Sequence, residues 1–272
     1  MKYKCPICSN ELVKIDNVYR CINRHNYDIS KEGYVNLLKK QGGKDFGDSK
    51  EMVISRRNFF LKDYYKPLKE ELVTLIKKYS PTTMIDLGCG EGYYTNYIKD
   101  NVNTDIVGID ISKEAVRLAS KNNKDVNYAV ASVQDIPLFD LSIDLALNNF
   151  TPLDIKEINR ILSKNGILIT TKVGKNHLIE LKESIYDEVY LNDNEVIKDN
   201  NLELLESKII KFVINLDNNE DIVNLFSMTP YVNHTSLKAK EKLHKLKSLK
   251  VTAEFNIDVY KKKWINHFFL LE

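Results

Sequence analysis

The chain has 272 residues, 43% of them hydrophobic and 29% charged, enough apolar material for a sizeable core, which excludes a chain disordered throughout. Ten Gly and six Pro exclude a collagen-like or low-complexity chain. No apolar run approaches the roughly 18 residues of a membrane helix. The start, MKYKCPICSNELVK, has no apolar h-region, so no secretory signal is read and the cytoplasm is the expected compartment.

The net charge of +2 is unevenly spread: +7 over 1–80, −4 over 81–170, −6 over 171–237 and +5 over 238–272. Basic ends around an acidic centre fit an anionic partner, nucleic acid first. A solvated lysine-rich surface fits the same pattern.

Three of the four cysteines crowd the first 21 residues. Cys5-x2-Cys8, then Cys21-x3-His25, offers three sulfurs and one imidazole, the donor set of a closed tetrahedral zinc site. Residues 11–20 (ELVKIDNVYR) alternate apolar and polar as a short hairpin does, returning Cys21 and His25 to the first pair. So small a segment builds no core, so the metal supplies its folding energy. Four protein ligands leave no open position, which makes the zinc structural. Lys2, Lys4, Lys14, Arg20 and Arg24 make the module a candidate anion-binding surface, though zinc modules also serve protein contacts.

Residues 26–50 read as a linker around a short apolar piece, with Gly42, Gly43 and Gly47 marking a flexible loop. From Glu51 to Tyr79 the pattern is helical, with Pro67 in the first turn of a second helix. Met84–Gly92 (MIDLGCGEG) is an apolar strand stopping in a Gly-rich turn that enters a helix. Strands follow at Asp105–Asp110, Val126–Ala131, Ile143–Phe150 and Gly166–Val173, with helical segments at 112–121 and 153–162. This alternation predicts an α/β fold with a parallel, doubly wound sheet.

The turn is GxGxG (Gly88, Gly90, Gly92), not the dinucleotide GxGxxG. Asp86 and Glu91 flank it and would repel a diphosphate, whereas they suit a cationic ligand such as an amino-acid amine. Asp110, ending the next strand, is positioned for the two hydroxyls of a ribose. Together these favour S-adenosylmethionine over a nicotinamide dinucleotide. Cys89, inside the turn, reads as a small filler, the alternative being a thiol activated at a helix start. Asp135 is either a contact to adenine or a solvated loop acid. Asn148-Asn149-Phe150-Thr151-Pro152 closes the fourth strand, where open parallel sheets meet their ligands. The amides would bond a base edge and Phe150 would stack on it; a polar strand-to-helix cap is the other reading. Lys208–Leu216 and Val251–Tyr260 read as two more strands, antiparallel at the end of the sheet, with two helical patterns between them. Tyr231, in the loop Met228–Tyr231, either stacks a base or packs as an ordinary tyrosine.

The stretches CPIC, CINRHNYDISKEGYVNLL, GDSKEM, YYKPL, IDLGCGEGYYT, GIDIS, HLIELKESIYDEV and MTPY, from Cys5 to Tyr231, resemble the RlmA-type 23S ribosomal RNA (guanine-N1)-methyltransferases, a family that includes tylosin-resistance methylases. KEGYVNLL and HLxELK carry more of the resemblance than the generic turn. It implies a class I (Rossmann-like) S-adenosylmethionine methyltransferase sheet over 81–272, a zinc-binding RNA-recognition module over 1–35, and a linker and helical segment over 36–80. It also implies a 23S rRNA hairpin as partner and a homodimer, with no membrane partner, and antibiotic resistance as a phenotype of some members. Similarity places cofactor contacts at Tyr65, Gly90–Glu91, Asp110 and His177; the residues alone read Tyr65 and His177 as core or surface. The chain departs from its relatives in the residues before the aromatic and proline of the fourth-strand motif, where the target base would sit. Two other classes fit parts of the sequence: a small-molecule methyltransferase whose zinc module binds protein, and a non-catalytic RNA- or ribosome-binding adaptor.

Overall fold

The computed structural model describes residues 2–39, 50–193 and 195–263; the expected flexible loop with Gly42, Gly43 and Gly47 lies outside the described residues. The chain opens with a four-stranded antiparallel sheet, β1 (Tyr3–Lys4), β2 (Glu11–Ile15), β3 (Val18–Arg20) and β4 (Asn26–Asp28), in that order. β2 and β3 form the expected hairpin, pairing Ile15 with Val18. Its two-residue turn puts Asp16 at φ 53°, the left-handed region that Asp and Asn tolerate best.

Residues read as the start of a linker instead supply a strand. β5 (Val35–Asn36) pairs in parallel with β8 (Asn127–Val130) and becomes an edge of the large sheet. Two residues carry no period, so only their buried neighbours Tyr34 and Leu37 hint at it. The small sheet is thereby fastened to the large one: Lys4 N donates to Pro137 O at 2.8 Å, Leu37 N to Val130 O at 2.9 Å, and the Tyr3 hydroxyl to Asn127 O at 3.2 Å.

α1 (Lys50–Leu61) and α2 (Lys66–Tyr79) follow, with Pro67 in the first turn of α2, where its missing N–H costs nothing. Leu68, Leu72, Leu75 and Ile76 recur at helical spacing on its buried face, each worth about 1.5–3 kcal/mol when fully removed from water. The alternating core is β6 (Thr83–Leu87), α3 (Tyr93–Asn101), β7 (Asp105–Asp110), α4 (Lys113–Asn122), β8, β9 (Ile143–Asn149), α5 (Ile155–Ile161) and β10 (Leu162–Val173). After it come α6 (Ile179–Ile185), β11 (Leu202–Leu216), α7 (Asn219–Ser227), a 3-10 turn (Pro230–Asn233), α8 (Leu237–His244) and β12 (Leu249–Lys262). The eight strands lie in the order β11-β12-β10-β9-β6-β7-β8-β5. β12 runs antiparallel to both of its neighbours, as expected; the other pairings are parallel. β11 starts six residues earlier than the apolar run suggests, because its first half is an outer strand with polar residues and a bulge between Leu204 and Glu206. The carboxyl ends of β6, β7, β8 and β9 converge on one rim, whereas residues 137–138, which hold the small sheet, lie toward the amino ends, beside Thr83 and Ser142.

Candidate active site and metal centre

Two tight turns build the metal centre. In the first, Ser9 N donates to Cys5 O (2.9 Å) and Cys5 N to Asn10 O (2.8 Å); in the second, Arg24 N donates to Cys21 O (2.9 Å) and Cys21 N to His25 O (3.1 Å). The ligand atoms of Cys5, Cys8, Cys21 and His25 all lie within 4.8 Å of one another. Cys8 and Cys21 sulfurs are 3.6 Å apart, and His25 Nδ1 is 3.5 Å from Cys5 Sγ and 3.4 Å from Cys21 Sγ. A tetrahedral zinc with bonds of about 2.3 Å to sulfur and about 2.0 Å to nitrogen requires separations of roughly 3.8 and 3.5 Å, so the four donors fit the ion. The outer shell also fits: the Tyr27 hydroxyl lies 3.4 Å from Cys5 Sγ, and Asn10 Nδ2 donates to Cys8 Sγ at 3.4 Å. The Asn10 side chain and backbone pull the Cys8 thiol down to about 5. Zinc is therefore the structural metal of this module.

At the rim, all three turn glycines have positive φ: Gly88 at 69°, Gly90 at 54° and Gly92 at 82°. A Cβ at Gly88 would collide with the Thr151 side chain, and one at Gly92 would come within 2.7 Å of the Tyr128 hydroxyl. A Cβ at Gly90 would meet nothing within 4 Å, so this side of the turn offers the close backbone approach a cofactor needs. Asp110 is tied to that turn: Oδ2 accepts from Gly90 N at 2.9 Å and Oδ1 from Ser112 N at 2.8 Å. Asp86 lies behind the turn, 2% exposed, and accepts from Thr95 Oγ1 at 2.5 Å. Burial pushes its carboxyl up to about 7. Glu91 is half-buried, and burial likewise raises it to about 7, with Arg57 and Arg56 of α1 opposing. Cys89 is buried and its thiol is held well up by burial and by the charges of Asp110 and Asp86, as suits a filler. Asp135 makes an exposed 2.7 Å ion pair with Lys39.

Tyr65 and His177, 112 residues apart, meet across this rim: the Tyr65 hydroxyl lies 3.5 Å from His177 Nε2. Glu254 N donates to His177 Nδ1 at 3.2 Å, which makes Nδ1 the acceptor and puts the proton of the neutral ring on Nε2, facing Tyr65. Burial drives the His177 pKa down to about 4, so the ring is neutral at neutral pH. Phe255 stands between them, its ring centroid 5.0 Å from Tyr65 and 4.7 Å from His177, and reaches Phe150 at 5.5 Å. Tyr94 lies 6.5 Å from Phe150 on the other side.

Phe150 adopts φ 59° and is 43% exposed. Asn148 and Asn149 are buried; Asn148 Nδ2 and both amide atoms of Asn149 have no hydrogen-bond partner among the described residues, nor do the hydroxyls of Thr170 and Thr171 beside them in register. Successive strand residues point to opposite faces, so the two amides do not meet one ligand. Asn149 shares its face with Leu145 and Leu147, in the same apolar cluster as Tyr65, Tyr94 and Phe255. Tyr231 packs 6.3 Å from Tyr186, with Lys182 Nζ 5.5 Å over its ring. Sequence reasoning missed Tyr94, Phe255 and the support of His177 by Glu254. Only the meeting of α3, β12 and the turn before α6 reveals them.

The family described as "Methyltransferase domain" matches residues 78–245, and "RlmA, N-terminal", a zinc ribbon, matches 3–42. A 23S rRNA (guanine(748)-N(1))-methyltransferase of Streptomyces fradiae is 33% identical over 188 residues, covering 67% of each chain. A relative from Bacillus subtilis (strain 168) is 31% identical over 201 residues (68% of each chain). One from Micromonospora griseorubida is 28% identical over 204 residues (67% of this chain, 69% of that one). Both carry 23S rRNA (guanine-N(1)-)-methyltransferase as a provisional name. With an intact cofactor turn, a four-donor zinc centre and these relatives, the chain belongs to the RlmA-type 23S rRNA (guanine-N1)-methyltransferase family, an S-adenosylmethionine-dependent enzyme with a structural zinc ribbon.

Proposed function

We propose that the protein methylates N1 of a guanine in a hairpin of 23S ribosomal RNA, in the cytoplasm where that RNA resides. The observation that carries this reading is the fastening of the zinc ribbon to the methyltransferase sheet, through Tyr3–Lys4 on Pro137–Leu138 and through β5 on β8. A metal module fastened to the catalytic sheet in this way serves to hold the substrate.

S-adenosylmethionine, when bound, supplies an already activated methyl group. The chain's own residues would bind and align. Asp110, fixed by two backbone amides, would hold the ribose hydroxyls, and the open side of Gly90 would admit the cofactor backbone. His177 presents Nε2–H to the Tyr65 oxygen and so leaves the phenolic O–H for the cofactor. Phe150, the exposed ring of this group, would stack the extruded base, with Tyr94 and Phe255 packed behind it. Guanine N1 must lose its hydrogen as it is methylated. His177 does not take that proton, because its Nε2 is already protonated. Asn149, with an unpartnered amide on the aromatic face, would polarise O6 of the base.

Mass-spectrometric mapping of 23S rRNA from cells with and without the protein tests the reading. One 1-methylguanosine should vanish with the protein; an unchanged map overturns it. Transfer to a small molecule but not to rRNA would establish the small-molecule class instead.

Our reading keeps the division into a metal-binding RNA-recognition module over 1–35, a linker and helical segment over 36–80 and the catalytic domain over 81–272. It also includes a homodimer. β11, 15 residues long, is an outer strand of the sheet and turns Ile209 (64% exposed) and Val213 (51%) outward. A monomeric mass in light scattering at micromolar protein would remove the dimer.

A further inference from the structure

A concavity of about 370 Å³, in the range of small-ligand sites, lies at the segment that follows Phe150. It is lined by Val133 and Gln134 from the loop after β8, and by Pro152, Leu153, Ile155 and Lys156 from the segment joining β9 to α5. None of the turn glycines lines it, nor does Asp110. It is thus offset from the turn-and-ribose position and opens two residues beyond Phe150.

Its chemistry is divided. Val133, Leu153 and Ile155 are half-buried, and pack into the apolar cluster that also takes in Cys8, Tyr19 and Tyr27 of the zinc ribbon. They form an apolar floor, with the exposed ring of Pro152 at its edge. Gln134 and Lys156 are exposed at the mouth. Gln134 offers an amide donor and acceptor, Lys156 an ammonium. Asp154 also borders the cavity, but Oδ1 accepts from Lys156 N (2.9 Å) and Glu157 N (3.2 Å), capping α5. Nearby, Glu157 is bound to Arg160 and to Ile136 N. The local carboxylates are therefore engaged, and Lys156 supplies the outward positive charge.

We propose that this cavity is a nucleotide subsite for the RNA strand next to the target guanine. The flanking base lies on the apolar floor, its edge meets the Gln134 amide, and its phosphate meets Lys156. This rests on the reading of the protein as an rRNA methyltransferase, and it names the element that chooses among neighbouring guanines. The floor of the cavity belongs to the same apolar cluster as Cys8, Tyr19 and Tyr27 of the ribbon, and its edge at Pro152 follows Phe150 by two residues. A strand held by the ribbon and inserting one base at Phe150 passes over it.

Two surface variants test it, Gln134→Trp, which fills the mouth, and Lys156→Glu, which reverses its charge. The probes are S-adenosylhomocysteine, followed by calorimetry, and 23S rRNA from cells lacking the protein. In each variant the KM for RNA should rise about fivefold or more, while S-adenosylhomocysteine affinity and melting temperature stay near wild type. Gln134→Trp should also spread methyl groups onto neighbouring guanines. Unchanged KM and unchanged target overturn the subsite. So does a large loss of S-adenosylhomocysteine affinity with RNA KM intact, which would make the cavity an adenine pocket. If wild-type protein transfers no methyl group to this RNA, the functional reading itself fails. The cavity is then judged by photocrosslinking to 4-thiouridine-substituted rRNA: adducts in 133–134 and 152–156 support it, and adducts only elsewhere overturn it.

Discussion

Asp110 shows how one side chain would join the proposed ribose contact to the fold. Its two oxygens take the N–H groups of Gly90 and Ser112, which fixes the carboxylate at the glycine turn. Asp110→Ala should weaken S-adenosylhomocysteine binding by about 1–3 kcal/mol, the penalty for unpaired polar groups at a ligand. Unchanged affinity in calorimetry would put the ribose elsewhere. Asp86 behaves differently. Burial raises its pKa in the folded state to about 7, above its unfolded value near 3.8, so the native protein binds the extra proton. That contribution to stability is present at low pH and is lost as pH rises through about 7. Asp86→Asn should therefore flatten the fall in melting temperature between about pH 4 and 7, and leave the variant the more stable of the two above it. A wild-type profile with no such fall would show that Asp86 ionises freely. His177 has the opposite slope: its folded pKa lies below the unfolded one, so its contribution is lost as pH falls from about 6.5 toward 4.

At the scale of elements, the β8 segment and the loop after it are held by N-terminal residues on several sides. Leu37 bonds Val130, Lys39 pairs with Asp135, Tyr3 bonds Asn127 and Lys4 bonds Pro137. The metal that orders the ribbon consequently helps to order the carboxyl end of β8, beside the proposed cofactor turn. Gently purified protein should contain about one zinc per chain, and its removal by a chelator should lower S-adenosylhomocysteine affinity as well as melt the ribbon. Full affinity in zinc-free protein would show that the loop holds itself. Much of this scale is legible in the sequence. The zinc spacing, the β2–β3 hairpin, the glycine turn with Asp110 and the strand–helix rhythm are all local patterns. β5 is not, because two residues carry no period and their meaning comes from β8, more than ninety positions later. Nor is the Tyr65–His177–Phe255 group: three elements distant in sequence meet there, and only resemblance pointed to two of its members. Asn148 and Asn149 show a further limit. Their motif marks the rim, but the alternation of a strand divides them between its two faces.

For the whole molecule, charge decides how the substrate is gathered. The net +7 of residues 1–80 should give RNA binding a steep inverse dependence on salt. Within the ribbon, Lys2 is already paired with Glu11 at 2.9 Å, whereas Lys14 and Arg24 are exposed. Replacing Lys14 and Arg24 with Gln should reduce the slope of log affinity against log salt by about one to two and leave cofactor affinity unchanged. An unaltered slope in a filter-binding titration would move the grip elsewhere, with the lysine-rich stretch 238–250 next in line.

The fastening of β1 and β5 onto residues 127–138 also sets an order of assembly. During synthesis the ribbon emerges first, and all its internal pairings lie within residues 3–28, so it closes on its metal early. Its anchors on the large sheet do not yet exist. Until residue 138 has been made, the finished ribbon hangs on an unpaired stalk, and its docking onto the large sheet is a late, long-range event. Pulse-labelling hydrogen exchange during refolding should resolve the two stages, with amides of residues 11–20 protected quickly and only when zinc is present. The Lys4 and Leu37 amides should follow slowly, together with β8. Simultaneous protection of all of them would mean that the ribbon and the sheet fold as one unit.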